Sequence, residues 1–223
     1  MTPPASVTDE WIADATRSLY VHHRFIPDGE PFLLDPAVFD SLGGYKDQVL
    51  FLIKRHQLPY LDLDVYMHAD LAYAGAAQYP VAFDASDVEA GKTILTIDRY
   101  GTYTTLDLSN PTKPIVQLQR RRIGHSPRKA VIFLNQAYIG QAEILGATIA
   151  HEVAHLYLYH RGVHAPTLGV RDPMLEFQTD IAMFVMGLGL LALREGPRRG
   201  GYLSYRQALL AHEHVLALER EAR

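Results

Sequence analysis

The chain of 223 residues is 48% apolar and 21% charged, a composition typical of globular proteins that excludes collagen-like, coiled-coil and disordered chains. Its formal net charge of −4 is too small to indicate a dedicated nucleic-acid or membrane-surface binder. Because the chain has no cysteine, disulfides, thiolate nucleophiles and cysteine-based metal sites are excluded as well. The 11 histidines and the carboxylates are left as candidate metal ligands.

No segment of the sequence predicts export or membrane insertion. Residues 1–10 lack the basic and apolar segments of a secretory signal. The longest uncharged apolar run, Ile181 to Leu193, is shorter than the about 20 residues that a membrane-spanning helix needs. We therefore expect a buried helix there and a cytoplasmic protein.

Helices are predicted at both ends of the chain. In the N-terminal part we expect one helix from Thr8 to His22 and a second from Tyr45 to His56, which Pro59 stops. In the C-terminal part three helices are expected: Gln141 to His160, Met174 to Leu193 and Ser204 to Glu219. Typical boundary residues mark these three: Gly162 after the first, Asp172-Pro173 before the second and the capping box Ser204 to Gln207 at the third.

Strands are predicted between the two helical parts. They are Lys92 to Asp98, Tyr103 to Leu108, Ile115 to Ile123 and Lys129 to Asn135, the first two forming a hairpin. The order of helices, strands and helices predicts an α+β fold, in which a small antiparallel or mixed sheet of about four strands packs on helices. We divide the chain into a mainly helical region of unassigned role, residues 1–90, and a core, residues 91–223.

A His-Glu-x-x-His motif lies within the helix predicted from Gln141 to His160. His151 and His155 are four residues apart, so both imidazoles lie on one helix face and can reach one metal ion. Glu152 is rotated by about 100° and can reach a metal-bound water without being a ligand. The flanking residues are apolar, and burying these polar groups costs several kcal/mol unless a partner compensates. The alternative is two neutral core histidines, with Glu152 in an ion pair.

A catalytic zinc site usually has a third protein ligand, for which the sequence offers several candidates. The extended metzincin motif is absent, because Tyr157 and Arg161 occupy its glycine and histidine positions. His160 is rotated away from the metal face of the helix, whereas His164 follows the helix and could fold back. We favour Glu176.

Glu176 begins a Glu-x-x-x-Asp motif that ends at Asp180. The two carboxylates share a helix face, so one can bind the metal while the other accepts the free ring N–H of a ligand histidine and fixes its tautomer. The alternative is a pair of solvated carboxylates that the helix dipole favours in the first turns. The upstream His-Glu-x-x-His motif and the apolar residues after Asp180 favour the metal site.

Together, His151-Glu-Val-Ala-His155 and Glu176-x-x-x-Asp180 resemble the active site of gluzincin metallopeptidases, in a short form similar to minigluzincins and ImmA/IrrE-like proteins. The resemblance covers roughly residues 90–220 and implies a zincin-like fold. It implies that His151, His155 and Glu176 bind Zn2+, with Glu152 as general base and later proton donor and Asp180 as an orienting residue. The implied activity is zinc-dependent hydrolysis of peptide bonds in a peptide or protein substrate.

Other questions stay open at the level of sequence. A zinc-binding regulatory or protein-interaction module with little or no turnover would use the same ligands.

The residue that stabilises the oxyanion is not determined among Tyr157, Tyr159, His160, His164, Tyr202 and Tyr205. By analogy with such peptidases, a substrate peptide could bind by adding a strand to an exposed sheet edge, and the nearest strand in sequence is Lys129 to Asn135. The basic stretch Gln119 to Lys129 is interpreted as solvated surface, so we expect no nucleic-acid partner.

Overall fold

The computed structural model describes residues 7–24, 29–60, 62–68, 75–78, 94–97, 103–107, 115–117, 129–163, 173–194, 196 and 201–222. Within them the fold is α+β. The helices are α1 (Asp9–His23), α2 (Pro36–Asp40), α3 (Tyr45–Arg55), α4 (Ala142–His160), α5 (Pro173–Val185), α6 (Gly189–Leu193) and α7 (Tyr205–Glu221). The strands are β1 (Asp62–His68), β2 (Gly75–Gln78), β3 (Ile94–Ile97), β4 (Tyr103–Asp107), β5 (Ile115–Gln117) and β6 (Lys129–Asn135).

Two three-stranded sheets are described. In one, β4 pairs antiparallel with β3 and β5, which confirms the predicted hairpin. In the other, β6 is the central strand, with β1 parallel on one side and β2 antiparallel on the other. The sheet around β6 is therefore mixed, but the prediction of a single sheet of about four strands was wrong, because the partners of β6 come from residues 62–78, where no strand was predicted.

The central position of β6 has a consequence for the predicted peptide-binding edge. Over residues 131–134 its backbone is paired on both sides, with β1 and with β2. An added strand needs a free row of backbone N–H and C=O groups, so the prediction that a peptide pairs with Lys129 to Asn135 was wrong. The same sheet joins the two parts of the chain that the sequence analysis separated at residue 90.

Helix α4 lies at the middle of the core and contacts β2, β6, α3, α5 and α6. It is apolar on nearly all sides and buried along most of its length, as expected for a helix that is covered on every face. Helix α1 packs on α5 and α7. There the hydroxyl of Tyr20 donates a hydrogen bond of 2.8 Å to Glu219, which also accepts one of 2.9 Å from Arg24.

The single helix predicted from Met174 to Leu193 is interrupted between α5 and α6, which corrects the sequence prediction. Gly187 has φ +73° and ends α5 in a Schellman motif. Its N–H donates to the carbonyl of Phe184 at 3.0 Å, and the N–H of Leu188 donates to that of Met183 at 2.8 Å.

The capping box of α7, between Ser204 and Gln207, was predicted and is confirmed. Among the described helices, none has the length and apolar character that crossing a membrane requires.

Candidate metal centre

Helices α4 and α5 pack together and place three candidate ligands at one point. The Nε2 atoms of His151 and His155 are 3.1 Å apart. Glu176 Oε2 lies 3.2 Å from each of them. A zinc ion with ligands at about 2.0–2.1 Å in tetrahedral geometry holds them about 3.3–3.4 Å apart. The spacing therefore suits three ligands of one ion, and within the described residues no other group of His, Asp and Glu meets this condition.

The structure describes two of the candidates for the third ligand, Glu176 and His160. Glu176 is in place, at the first turn of α5. His160 lies at the exposed end of α4, with its ring centroid 6.4 Å from that of Tyr60. His164 lies outside the described residues. Among the described residues, the Glu-x-x-x-Asp motif thus provides the third ligand atom beside His151 and His155.

Asp180 contacts the other ring nitrogen of His151. Its Oδ1 lies 2.9 Å from His151 Nδ1, and its Oδ2 accepts a hydrogen bond of 2.8 Å from the backbone N–H of Leu203. Asp180 is fully buried. Because an ionised carboxylate only accepts hydrogen bonds, the Nδ1 of His151 carries the hydrogen. In the neutral ring, the Nε2 of His151 then carries a lone pair.

Thr179 makes the corresponding contact to His155, and the sequence analysis missed it. Its Oγ1 lies 3.1 Å from His155 Nδ1 and donates a hydrogen bond of 2.8 Å to the carbonyl of Leu175. The available signal was its position three residues after Glu176, which places both side chains on one face of α5. The three atoms that converge are thus Nε2 of His151, Nε2 of His155 and Oε2 of Glu176.

A positive charge among these three atoms is favoured, as the pKa values of His151 and Glu176 show. Burial disfavours the imidazolium of His151, but hydrogen bonds to Asp180 and Glu176 outweigh it and raise its pKa to about 10. Burial likewise disfavours the Glu176 carboxylate, yet its hydrogen bonds to the two histidines hold its pKa well below the usual range. In the metal-free protein a proton on His151 supplies the charge that a cation would otherwise bring.

Glu152 and Tyr202 complete the surroundings of His151. Glu152 is buried, with 5% of its surface exposed, and its negative charge also raises the pKa of His151. The Tyr202 ring stacks on that of His151, with centroids 5.9 Å apart and planes inclined by 22°. Of the oxyanion candidates, Tyr202 therefore contacts a candidate ligand, whereas Tyr157 packs against His56 at 5.9 Å.

Comparison with known proteins adds no relative. No protein-family model, curated protein or solved structure matches the chain. The assignment of a function therefore depends on the chemistry of the site.

The basic stretch before β6, residues 119–128, lies outside the described residues.

Proposed function

We propose that this protein is a zinc-dependent metallopeptidase of the gluzincin type, with His151, His155 and Glu176 as zinc ligands and Glu152 as general base. The observation that carries the proposal is the convergence of the three ligand atoms, each 3.1–3.2 Å from the other two. The buried α4 helix, which packs on the sheet formed by β1, β6 and β2, supports a zincin-like fold.

Zinc at such a site supplies a Lewis acid that polarises a peptide carbonyl and lowers the pKa of water. Glu152, buried and adjacent in sequence to His151, would accept the proton of the attacking water and return it to the leaving amine. Asp180 holds the His151 ring in the tautomer that directs Nε2 toward Glu176. Burial of Asp180 strengthens this charge-assisted contact.

The metal content tests the first half of the proposal. Protein purified without a histidine tag is expected to contain close to one zinc per chain, measured by mass spectrometry of the metal. Less than about 0.3 zinc per chain, not restored by added zinc, would contradict a stable structural or catalytic site.

Cleavage of a peptide library, detected by mass spectrometry of new N-termini, tests the second half. Glu152→Gln is expected to retain zinc and to lose about 100-fold or more in cleavage rate, as for removal of a general base. Glu143→Gln, at an exposed glutamate in the first turn of the same helix, is the matched control and should cleave normally. Unchanged cleavage by Glu152→Gln would remove Glu152 from the mechanism.

The same variant addresses the alternative of a binding module. If the wild type binds zinc but neither the wild type nor Glu152→Gln cleaves any peptide, the zinc-binding module is favoured over the peptidase. Natural substrates would emerge from comparing the proteomes of cells that express the wild type and Glu152→Gln, because only cleaved proteins differ between the two.

A further inference from the structure

Thr179 is a fully buried side chain of α5 that touches a proposed zinc ligand. It lies between Glu176 and Asp180 in sequence, yet the proposed mechanism gives it no role. Its hydroxyl is 3.1 Å from His155 Nδ1 and 2.8 Å from the carbonyl oxygen of Leu175.

The direction of the two hydrogen bonds follows from the number of protons. A threonine hydroxyl has one hydrogen, and a carbonyl oxygen only accepts. The hydrogen of Thr179 is therefore donated to Leu175, and its lone pair faces His155. Because the lone pair needs a donor, His155 carries its hydrogen on Nδ1, and Nε2 is left as an acceptor.

We propose that Thr179 is a positioning residue for His155, which selects the tautomer whose Nε2 can bind metal. This inference rests on the proposed zinc site. The selected nitrogen is the atom that lies 3.1 Å from His151 Nε2 and 3.2 Å from Glu176 Oε2. In the other tautomer an N–H would point at the ion, and His155 would be lost as a ligand.

The two histidines are thus held by groups of different charge. A buried carboxylate, Asp180, holds His151, while a neutral hydroxyl holds His155. The carboxylates of Glu176, Asp180 and Glu152 already bring three negative charges to the surroundings of His151, one more than the two positive charges of zinc. A second orienting carboxylate at position 179 would add a buried negative charge that no further cation balances.

Substitution by valine isolates the hydroxyl, since Thr179→Val keeps the branched shape but removes the acceptor. We expect its zinc affinity, measured by competition with a chromophoric chelator, to fall about 10- to 100-fold. Thr179→Ser restores the hydroxyl and should bind zinc close to the wild-type value. Thr16→Val is the matched control, because Thr16 is an equally buried threonine of α1 and its substitution should leave zinc affinity unchanged.

The tautomer itself provides a readout that does not depend on activity. In metal-free protein, long-range 1H–15N spectra should show His155 protonated at Nδ1 in the wild type and in Thr179→Ser, and should show a loss of this tautomer in Thr179→Val. Urea unfolding identifies any variant that fails to fold, in which case Thr179→Ala replaces Thr179→Val.

The outcomes separate this inference from the proposed function. Weaker zinc binding and a changed His155 tautomer in Thr179→Val, both reversed in Thr179→Ser, would establish the positioning role. Wild-type zinc affinity or an unchanged tautomer in a folded Thr179→Val would overturn it. Failure of the wild type to bind zinc would instead overturn the proposed function.

Discussion

Asp180 joins His151 to the backbone of Leu203. One carboxylate oxygen lies 2.9 Å from His151 Nδ1, and the other accepts the Leu203 N–H at 2.8 Å. A fully buried carboxylate is thereby bonded on both oxygens, as buried charged groups require. The contact links α4, α5 and the turn before α7, so the position of one candidate ligand depends on three elements.

Substitution of Asp180 should therefore weaken metal binding. Asp180→Asn removes the charge that fixes the His151 tautomer, and zinc affinity measured by chelator competition is expected to fall about 10- to 100-fold. Asp9→Asn is the control, because Asp9 forms an exposed ion pair with Arg206 of the kind that contributes little. Equal affinities of Asp180→Asn and the control would show that the carboxylate does not orient the ligand.

The identity of the third ligand can be tested directly. Glu176→Ala removes the oxygen that lies 3.2 Å from both Nε2 atoms, so its zinc content after dialysis should fall far below that of the wild type. His164→Ala should retain zinc, because Glu176 already completes the set of three ligands. The reverse pattern, with zinc kept by Glu176→Ala and lost by His164→Ala, would assign the third position to His164.

Zinc binding should release a proton. His151 has a pKa of about 10 in the metal-free protein, raised against the effect of burial by hydrogen bonds to Asp180 and Glu176, so it is protonated at neutral pH. Zinc must displace that proton, and the apparent affinity should rise about tenfold per pH unit as pH increases from neutral toward 10. Glu176 releases none, because its pKa lies well below the usual range.

Titration calorimetry in two buffers of different ionisation enthalpy measures this release as the difference in apparent heat. About one proton per zinc is expected near pH 7.5 from His151. Zinc binding to Asp180→Asn should release fewer protons per zinc, because loss of the carboxylate lowers the pKa of His151. Proton release close to zero in the wild type would contradict the protonated metal-free state.

Gly187 should tolerate no side chain. Its φ is +73°, and an added Cβ would lie 2.0 Å from the carbonyl oxygen of Phe32, so Gly187→Ala should lower the free energy of unfolding by about 3 kcal/mol or more. Gly162 is the control, because it has a similar φ of +71° and no atom of the described residues lies within 4 Å of its Cβ position. Gly162→Ala should cost only about 1–2 kcal/mol. Urea unfolding of the metal-free proteins measures both, and equal losses would show that the Phe32 contact adds nothing.

Features set by local geometry were predictable from the sequence. The spacing of His151 and His155 places both on one face of α4, and that of Glu176 and Asp180 does the same on α5, because 3.6 residues per turn bring residues four apart together. The capping box at Ser204 was predictable for the same reason, since all its partners lie within four residues. Each of these features depends on neighbours that are close along the chain.

The tertiary structure decided the contacts between distant residues. Pairing of β1 with β6 joins residues more than sixty positions apart, and the residues around β1 carry no local signal for that partner. The approach of the Phe32 carbonyl to Gly187 also joins residues that are distant in sequence. The roles of Thr179 and Leu203 follow from how α5 and the turn before α7 face α4. Residue types and spacing determined which groups can bind a metal, whereas helix packing decided that two imidazoles and one carboxylate meet.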